Sequence, residues 1–285
     1  MPIHRTPLFL PALLLVLLGS AGTVFAQHRH INAGAVAPHA GSKLSIANRA
    51  SFDADSGFLV HLAPTNHPVY GPIFLGGSDV TFTSLPSTAD YGGPDPKAAQ
   101  PGAHLVMMIV SSSGPTGGAL SFWDSFDGFF VATEITFTVP VGTTGGTGSF
   151  ALSENDGSAG LDPYGHIHGR RFSVDRPGLY TVGFVVVDTS ANGLGGGPLH
   201  PPSDPVSISF QAGTTIADLK LSADGTTARF GTDAGKTYFV EAADALVSSP
   251  VWTTVAGPVV GTDRLESASI PGPSRNARYF RLRVE

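Results

Sequence analysis

Two His-X-His pairs have the residue types and spacing best suited to metal chemistry. They are His28-Arg29-His30 and His166-Ile167-His168. In an extended backbone, residues i and i+2 point to the same face and lie about 6–7 Å apart. Each pair can therefore direct two imidazoles toward one ion, and neutral imidazole binds zinc, copper and nickel. Because the chain has 10 His and no Cys, its metal ligands would be nitrogen and oxygen atoms.

A further candidate ligand, His200, lies in the rigid proline-rich stretch 198–202, which could fold back onto the second pair. Asp162, near that pair, offers a carboxylate that could bind the ion or accept a hydrogen bond from a ligating imidazole. If the first pair belongs to the first strand of a β-sandwich, the two pairs could meet in a four-nitrogen shell that suits tetrahedral zinc. The predicted ligands are His28, His30, His166, His168 and His200, with zinc as the favoured metal.

The first 26 residues are predicted to be an export signal. Arg5 provides the positive charge, Leu8 to Leu18 form an apolar run, and Val24-Phe25-Ala26 fits a small-X-small cleavage pattern. We therefore expect cleavage near Ala26 and an extracytoplasmic location, whether periplasmic, cell-surface or secreted. The rest of the chain has no apolar run approaching 18 residues, so no transmembrane segment is predicted in the mature chain.

The composition predicts an all-β protein. Only 13% of the residues are charged, whereas Gly (36) and Pro (23) are abundant and punctuate runs rich in Val, Thr and Phe. No convincing amphipathic helical pattern is present. The net charge of −6 argues against nucleic acid as a partner, because nucleic-acid binding needs a basic surface. With no cysteine, disulfides cannot form, so stability must come from the cores and bound metal.

The chain divides into two predicted β-sandwich domains, residues 27–212 and residues 215–285. In the first, Leu105 to Val110 and Leu179 to Val187 are continuous apolar runs, which predict fully buried strands. A half-buried strand is predicted from Val131 to Val139. In the second domain, six short apolar runs at intervals of roughly 8–12 residues predict a small sandwich. Its last strand would direct Phe280, Leu282 and Val284 inward.

Three stretches resemble a family of bacterial surface proteins with varied C-terminal anchors. They are residues 148–157 (GSFALSENDG), 165–169 (GHIHG) and 172–182 (FSVDRPGLYTV). The resemblance covers about residues 27–212 and implies a link to zinc or metal transport, with a metal importer or a cell-surface component as partner. Residues 238–246, 252–254 and 278–283 are similar to a C-terminal module of secreted proteins, which implies a small fibronectin-III-like domain.

The alternatives are a non-catalytic adhesion or scaffold protein of two β-modules, and an enzyme. Gly160 and the second histidine pair match the opening of a cupin metal motif, but Phe172 and Ser173 stand where a cupin places its glutamate ligand. A copper-dependent enzyme or copper site would follow if cleavage made His28 the first residue. No complete catalytic constellation is present, so we predict a metal-binding protein that is not an enzyme. His39, His61 and His67 are interpreted as surface residues.

Overall fold

The computed structural model describes residues 29–78, 80–88, 97–124, 133–213, 219–271 and 279–285. The predicted export signal and His28 lie outside the described residues. Strands dominate throughout, which confirms the all-β prediction. The described helices are single 3-10 turns at Arg49–Ser51, Ala54–Ser56 and Leu194–Gly196. Within these ranges, no helix has the length and apolar character needed to cross a membrane.

The larger part of the chain contains two sheets that face each other. Its strands are β1 (Arg29–Ala35), β2 (Leu44–Ile46), β3 (Leu59–His67), β4 (Gly71–Gly76), β5 (Val80–Ser84), β6 (Leu105–Ser113), β7 (Ala119–Trp123), β8 (Phe137–Pro140), β9 (Ser149–Ala151), β10 (Gly165–His166), β11 (Arg171–Val174), β12 (Gly178–Asp188) and β13 (Val206–Ala212). The four-stranded sheet has the order β10-β5-β1-β2. The nine-stranded sheet has the order β8-β7-β11-β4-β3-β13-β12-β6-β9.

Aromatic side chains fill the space between these two sheets. The ring centre of Phe82, on β5, lies 5.3 Å from that of Phe150 and 5.8 Å from that of Phe184, both on the nine-stranded sheet. Aromatic side chains bury large apolar areas, so these contacts stabilise the packing of the sheets. One face of β5 is thereby fixed against the core, and its other face is turned away from it.

The two apolar runs predicted to be fully buried are strands with mixed burial. In β6, Leu105, Met107 and Ile109 are buried, whereas Val106 and Met108 are only half-buried. A continuous apolar run predicts burial on both faces, but the second face of β6 is only partly covered. β12 shows a similar mixed pattern.

The smaller part of the chain has its own apolar core between two three-stranded sheets. Its strands are β14 (Lys220–Leu221), β15 (Thr227–Gly231), β16 (Thr237–Ala243), β17 (Thr253–Val260), β18 (Leu265–Ser269) and β19 (Tyr279–Val284). The orders are β14-β15-β18 and β17-β16-β19. Leu282 is buried in this core, and Phe280 and Val284 pack against it, as predicted. On the opposite face of β19, Arg281 and Arg283 each pair with Glu241 at 2.8 Å.

The two parts meet through contacts between the segment 54–61 and the β15 and β18 region. The Leu265 N–H donates to the Gly57 carbonyl at 2.9 Å, and the Arg264 guanidinium donates to the Ser56 carbonyl at 2.9 Å. The Arg229 guanidinium donates to the Ala54 carbonyl. These bonds hold one end of the smaller part against the 3-10 turn at Ala54–Ser56 and Gly57, just before β3 of the larger part.

Candidate metal centre

The outer face of the four-stranded sheet brings histidines from both predicted pairs together. β5 lies between β1, with which it is parallel, and β10, with which it is antiparallel. The register pairs His30 with Thr81 and His166 with Thr83. Residues that pair across neighbouring strands share a face, so His30 and His166 lie on the face of β5 that carries its threonines. Phe82 occupies the opposite, core-facing side.

His166 lies between His30 and His168. Its ring centre is 4.6 Å from that of His30 and 4.3 Å from that of His168. We call these three side chains the histidine row. All three side chains are half-buried; His30 and His166 lie in strands of the sheet, and His168 follows the end of β10.

Hydrogen bonds fix the orientation of two members of the row. The Nδ1 atom of His30 lies 3.0 Å from the Thr83 hydroxyl, and Nδ1 of His166 lies 3.4 Å from the Tyr164 hydroxyl. Metal-binding histidines commonly use one ring nitrogen for such a bond and the other for the ion. The backbone N–H of His166 donates to Glu154 at 2.7 Å, which holds the start of β10 in place.

Asp162 supports the segment before the second histidine pair. Its carboxylate accepts N–H bonds from Ser87 at 3.1 Å and from Tyr164 at 2.8 Å. Burial alone would raise the pKa of Asp162, but these bonds outweigh it and keep the pKa below its usual value. The carboxylate is therefore charged and engaged in fixing the backbone that leads to His166.

The spacing of the row is close to that of imidazoles around one zinc ion. With zinc–nitrogen bonds of about 2.0 Å, each ring centre lies about 3.2 Å from the metal, and tetrahedral ring centres are about 5 Å apart. The observed separations of 4.6 and 4.3 Å differ from this by less than 1 Å. Among the described residues, the ligand nitrogens of these three rings do not all lie within 4.8 Å of one another. Side-chain rotation of His30 and His168 would therefore be needed to bring three nitrogens to one ion.

His200, which was predicted to be a metal ligand, is not placed to bind an ion. It is buried, its Nδ1 lies 2.8 Å from the Ser42 carbonyl, and its Nε2 accepts the Gln100 N–H at 2.9 Å. Both ring nitrogens are used to join loops, so neither is available to an ion. The proline-rich stretch does fold inward, but the imidazole serves as a buried structural bridge. The other predicted ligand, His28, lies outside the described residues.

A second group of metal-ligating side chains was missed from the sequence. His61, Asp233 and Asp263 each offer one ligand atom, and these three atoms lie within 4.8 Å of one another. His61 was predicted to be a surface residue, but it lies within β3 and is half-buried beside the smaller part. Its partners are far away along the chain, so no spacing motif could have indicated the group.

Searches of protein-family models, of curated proteins and of solved structures found no match to this chain. The resemblance to the bacterial surface family and to fibronectin-III-like modules therefore stays a prediction.

Proposed function

We propose that this protein binds a zinc ion outside the cytoplasm through the histidine row. The observation that carries the proposal is the spacing of His30, His166 and His168, which come from two distant parts of the chain. His30 and His166 lie on one sheet face, and the ring of His168, just after β10, lies beside that of His166. Three imidazoles without cysteine suit zinc, with copper as the alternative. The function is that of a metal-binding protein rather than an enzyme.

The coordination number depends on residues near the start of β1. Because i and i+2 share a face in an extended chain, His28 is the candidate for a fourth nitrogen if the strand pattern continues to it. Four imidazoles would form a closed site suited to holding zinc, whereas three would leave a position for water or for transfer to an acceptor. The proposed acceptors are a metal importer or another cell-surface component.

Metal titration of the purified protein tests this proposal. Calorimetry with Zn²⁺ and, separately, Cu²⁺ would compare the unchanged chain with His166→Ala/His168→Ala. We expect the double substitution to weaken binding at this site at least 100-fold, because two of its nitrogens are lost. His39→Ala is the control, since this exposed imidazole contacts its neighbour Ala40 outside the row.

Equal stoichiometry and affinity in the double variant and the unchanged chain would overturn the proposal. The adhesion or scaffold alternative would then be favoured, particularly if the chain bound glycan or cell wall. N-terminal sequencing of the exported protein tests the predicted location, and a mature chain beginning at His28 would favour copper instead of zinc.

A further inference from the structure

We propose that His61, Asp233 and Asp263 form a second metal site, which takes a divalent transition-metal ion and links the two parts of the chain. Nδ1 of His61 lies 3.4 Å from the Asp233 carboxylate, and Nε2 lies 4.0 Å from the Asp263 carboxylate. The imidazole comes from the larger part and both carboxylates come from the smaller part. This site is independent of the histidine row.

The separations suit ligands that share an ion better than groups that bond to each other. N–H···O hydrogen bonds span about 2.7–3.2 Å, and both distances here are longer. Two ligands bound to one zinc ion at about 2.0–2.1 Å lie about 3.4 Å apart. An imidazole gives only one ring nitrogen to an ion, and the distance of 3.4 Å from His61 Nδ1 to Asp233 matches this value. One ligand atom from each of the three residues lies within 4.8 Å of the other two, so small side-chain rotations would bring in Asp263.

The smaller part holds its two carboxylates in place before any ion binds. The Ala234 N–H donates to Asp263 at 2.7 Å, and the Thr232 N–H donates to the Arg264 carbonyl at 2.9 Å. These bonds tie the loop after β15 to the loop before β18. Asp263 has a φ of 59°, a left-handed conformation that Asp and Asn tolerate better than most residues.

The charge of the junction favours a cation. Asp233 also pairs with Lys236 at 2.8 Å through its other oxygen, so one negative charge of the two carboxylates remains uncompensated. A divalent ion would neutralise this remaining charge.

The site has room for water ligands. A cavity of about 260 Å³ adjoins it and is bordered by His61, Gln211 and Asp233. One imidazole and two carboxylates would leave positions for water, as expected for zinc or manganese with mixed nitrogen and oxygen ligands. An ion here would join β3 directly to both loops of the smaller part.

The test uses the full chain with His166→Ala/His168→Ala, so that binding by the histidine row is removed. Calorimetric titration with Zn²⁺ and with Mn²⁺ should still show one bound ion, for at least one of the two metals. Adding Asp263→Asn should weaken this binding at least tenfold, because Asn keeps the left-handed backbone and the acceptor for Ala234 but removes the charge. Asp204→Asn, which removes an exposed carboxylate paired with Lys43, should leave the affinity unchanged.

A second measurement separates this site from the proposed function. Addition of the binding metal to the same background should raise the midpoint of thermal unfolding, and His61→Gln should abolish that rise. If the background binds neither metal, or if Asp263→Asn binds as tightly as its parent, the inference is wrong.

Discussion

The histidine row and the His61 junction place imidazoles in opposite structural settings. The row lies on one sheet, where strand register aligns His30 and His166 on either side of β5. The junction is assembled from two separate cores, and it exists only where the segment 54–61 meets the smaller part. The first site is therefore as rigid as its sheet, whereas the second depends on how well two bodies dock.

The largest expected effect is on the larger part of the chain and the histidine row that it carries. A Cβ at Gly165 would lie 1.7 Å from the Leu152 carbonyl oxygen, which is backbone and cannot rotate away. Gly165→Ala should therefore displace β10, lower the free energy of unfolding of the larger part by about 3 kcal/mol and abolish zinc binding by the row. Urea unfolding followed by Trp123 fluorescence in a Trp252→Phe background measures this.

Gly197→Ala provides the matched control for this glycine. Its Cβ would meet only an ordinary contact at 3.6 Å, and its φ is −91°. Equal unfolding curves for the two glycine variants would show that β10 tolerates displacement and would break the proposed dependence of the row on strand register.

The next largest effect is expected from a substitution at Glu241, which would destabilise the smaller part of the chain. Burial alone would raise the pKa of Glu241, but the bonds from Arg281 and Arg283 outweigh it and hold the pKa below its usual 4.5. Glu241→Gln should cost about 2 kcal/mol at pH 7, because two charge-assisted bonds are weakened. It should weaken the junction site indirectly and leave the row intact.

The pH dependence of the same variant has a defined sign. A depressed carboxyl pKa contributes stability above the unfolded value of about 4.5, and this contribution is lost as pH falls through the lower folded value. Unfolding of the smaller part, followed by Trp252 fluorescence between pH 7 and pH 3, should show a shallower acid-dependent loss in Glu241→Gln. An unchanged slope would contradict the role of Glu241.

A substitution at Thr83 should change how His30 is oriented for metal binding without destabilising the sheet, and its effect is expected to be smaller. Thr83→Val keeps the shape of the side chain but removes the partner of His30 Nδ1, so zinc affinity should fall about tenfold. Thr81→Val, on the same face of β5, is the matched control. Calorimetry on both variants measures the difference, and equal affinities would show that Thr83 does not orient the imidazole.

The smallest effect is a gain at the junction. Lys236→Gln removes the ammonium that pairs with Asp233, so metal affinity there should rise about threefold, the modest value expected for an exposed ion pair. Affinity at the row should not change. Weaker metal binding at the junction in this variant would show that Lys236 orients Asp233 rather than competing with the ion.

The sequence predicted local features well. Alternation predicted that Phe280, Leu282 and Val284 face inward, and Leu282 is buried while the other two pack against the same core. The strand predicted from Val131 lies partly outside the described residues, and in the described part β8 begins only at Phe137. The backbone N–H of Ile135 instead donates to the Tyr70 hydroxyl, a long-range partner that periodicity does not reveal.

In the candidate sites, too, the local features were predictable from the sequence and the long-range contacts were not. The i, i+2 rule indicated that histidines of each pair share a face, and the sequence offered a meeting of the two pairs only on the condition that the first pair belongs to the first strand. That β5 would lie between them was not foreseeable, since nothing local to residues 80–84 specifies its neighbours. The sequence did not reveal that both ring nitrogens of His200 contact buried loops, or that His61 lies beside Asp233 and Asp263. Burial and the docking of the two parts, rather than sequence context, decide these contacts.

The parallel pairing of β1 with β5 has a consequence for the order of folding. A growing polypeptide that has emerged only as far as residue 84 contains His30 and Thr83 but lacks the strand that supplies His166. Pairings between segments distant in sequence form slowly, because the entropy cost of closing a long loop comes before the stabilising contacts between the strands. The face that carries the histidine row therefore forms late, and a chain that has not yet emerged beyond residue 84 cannot complete it.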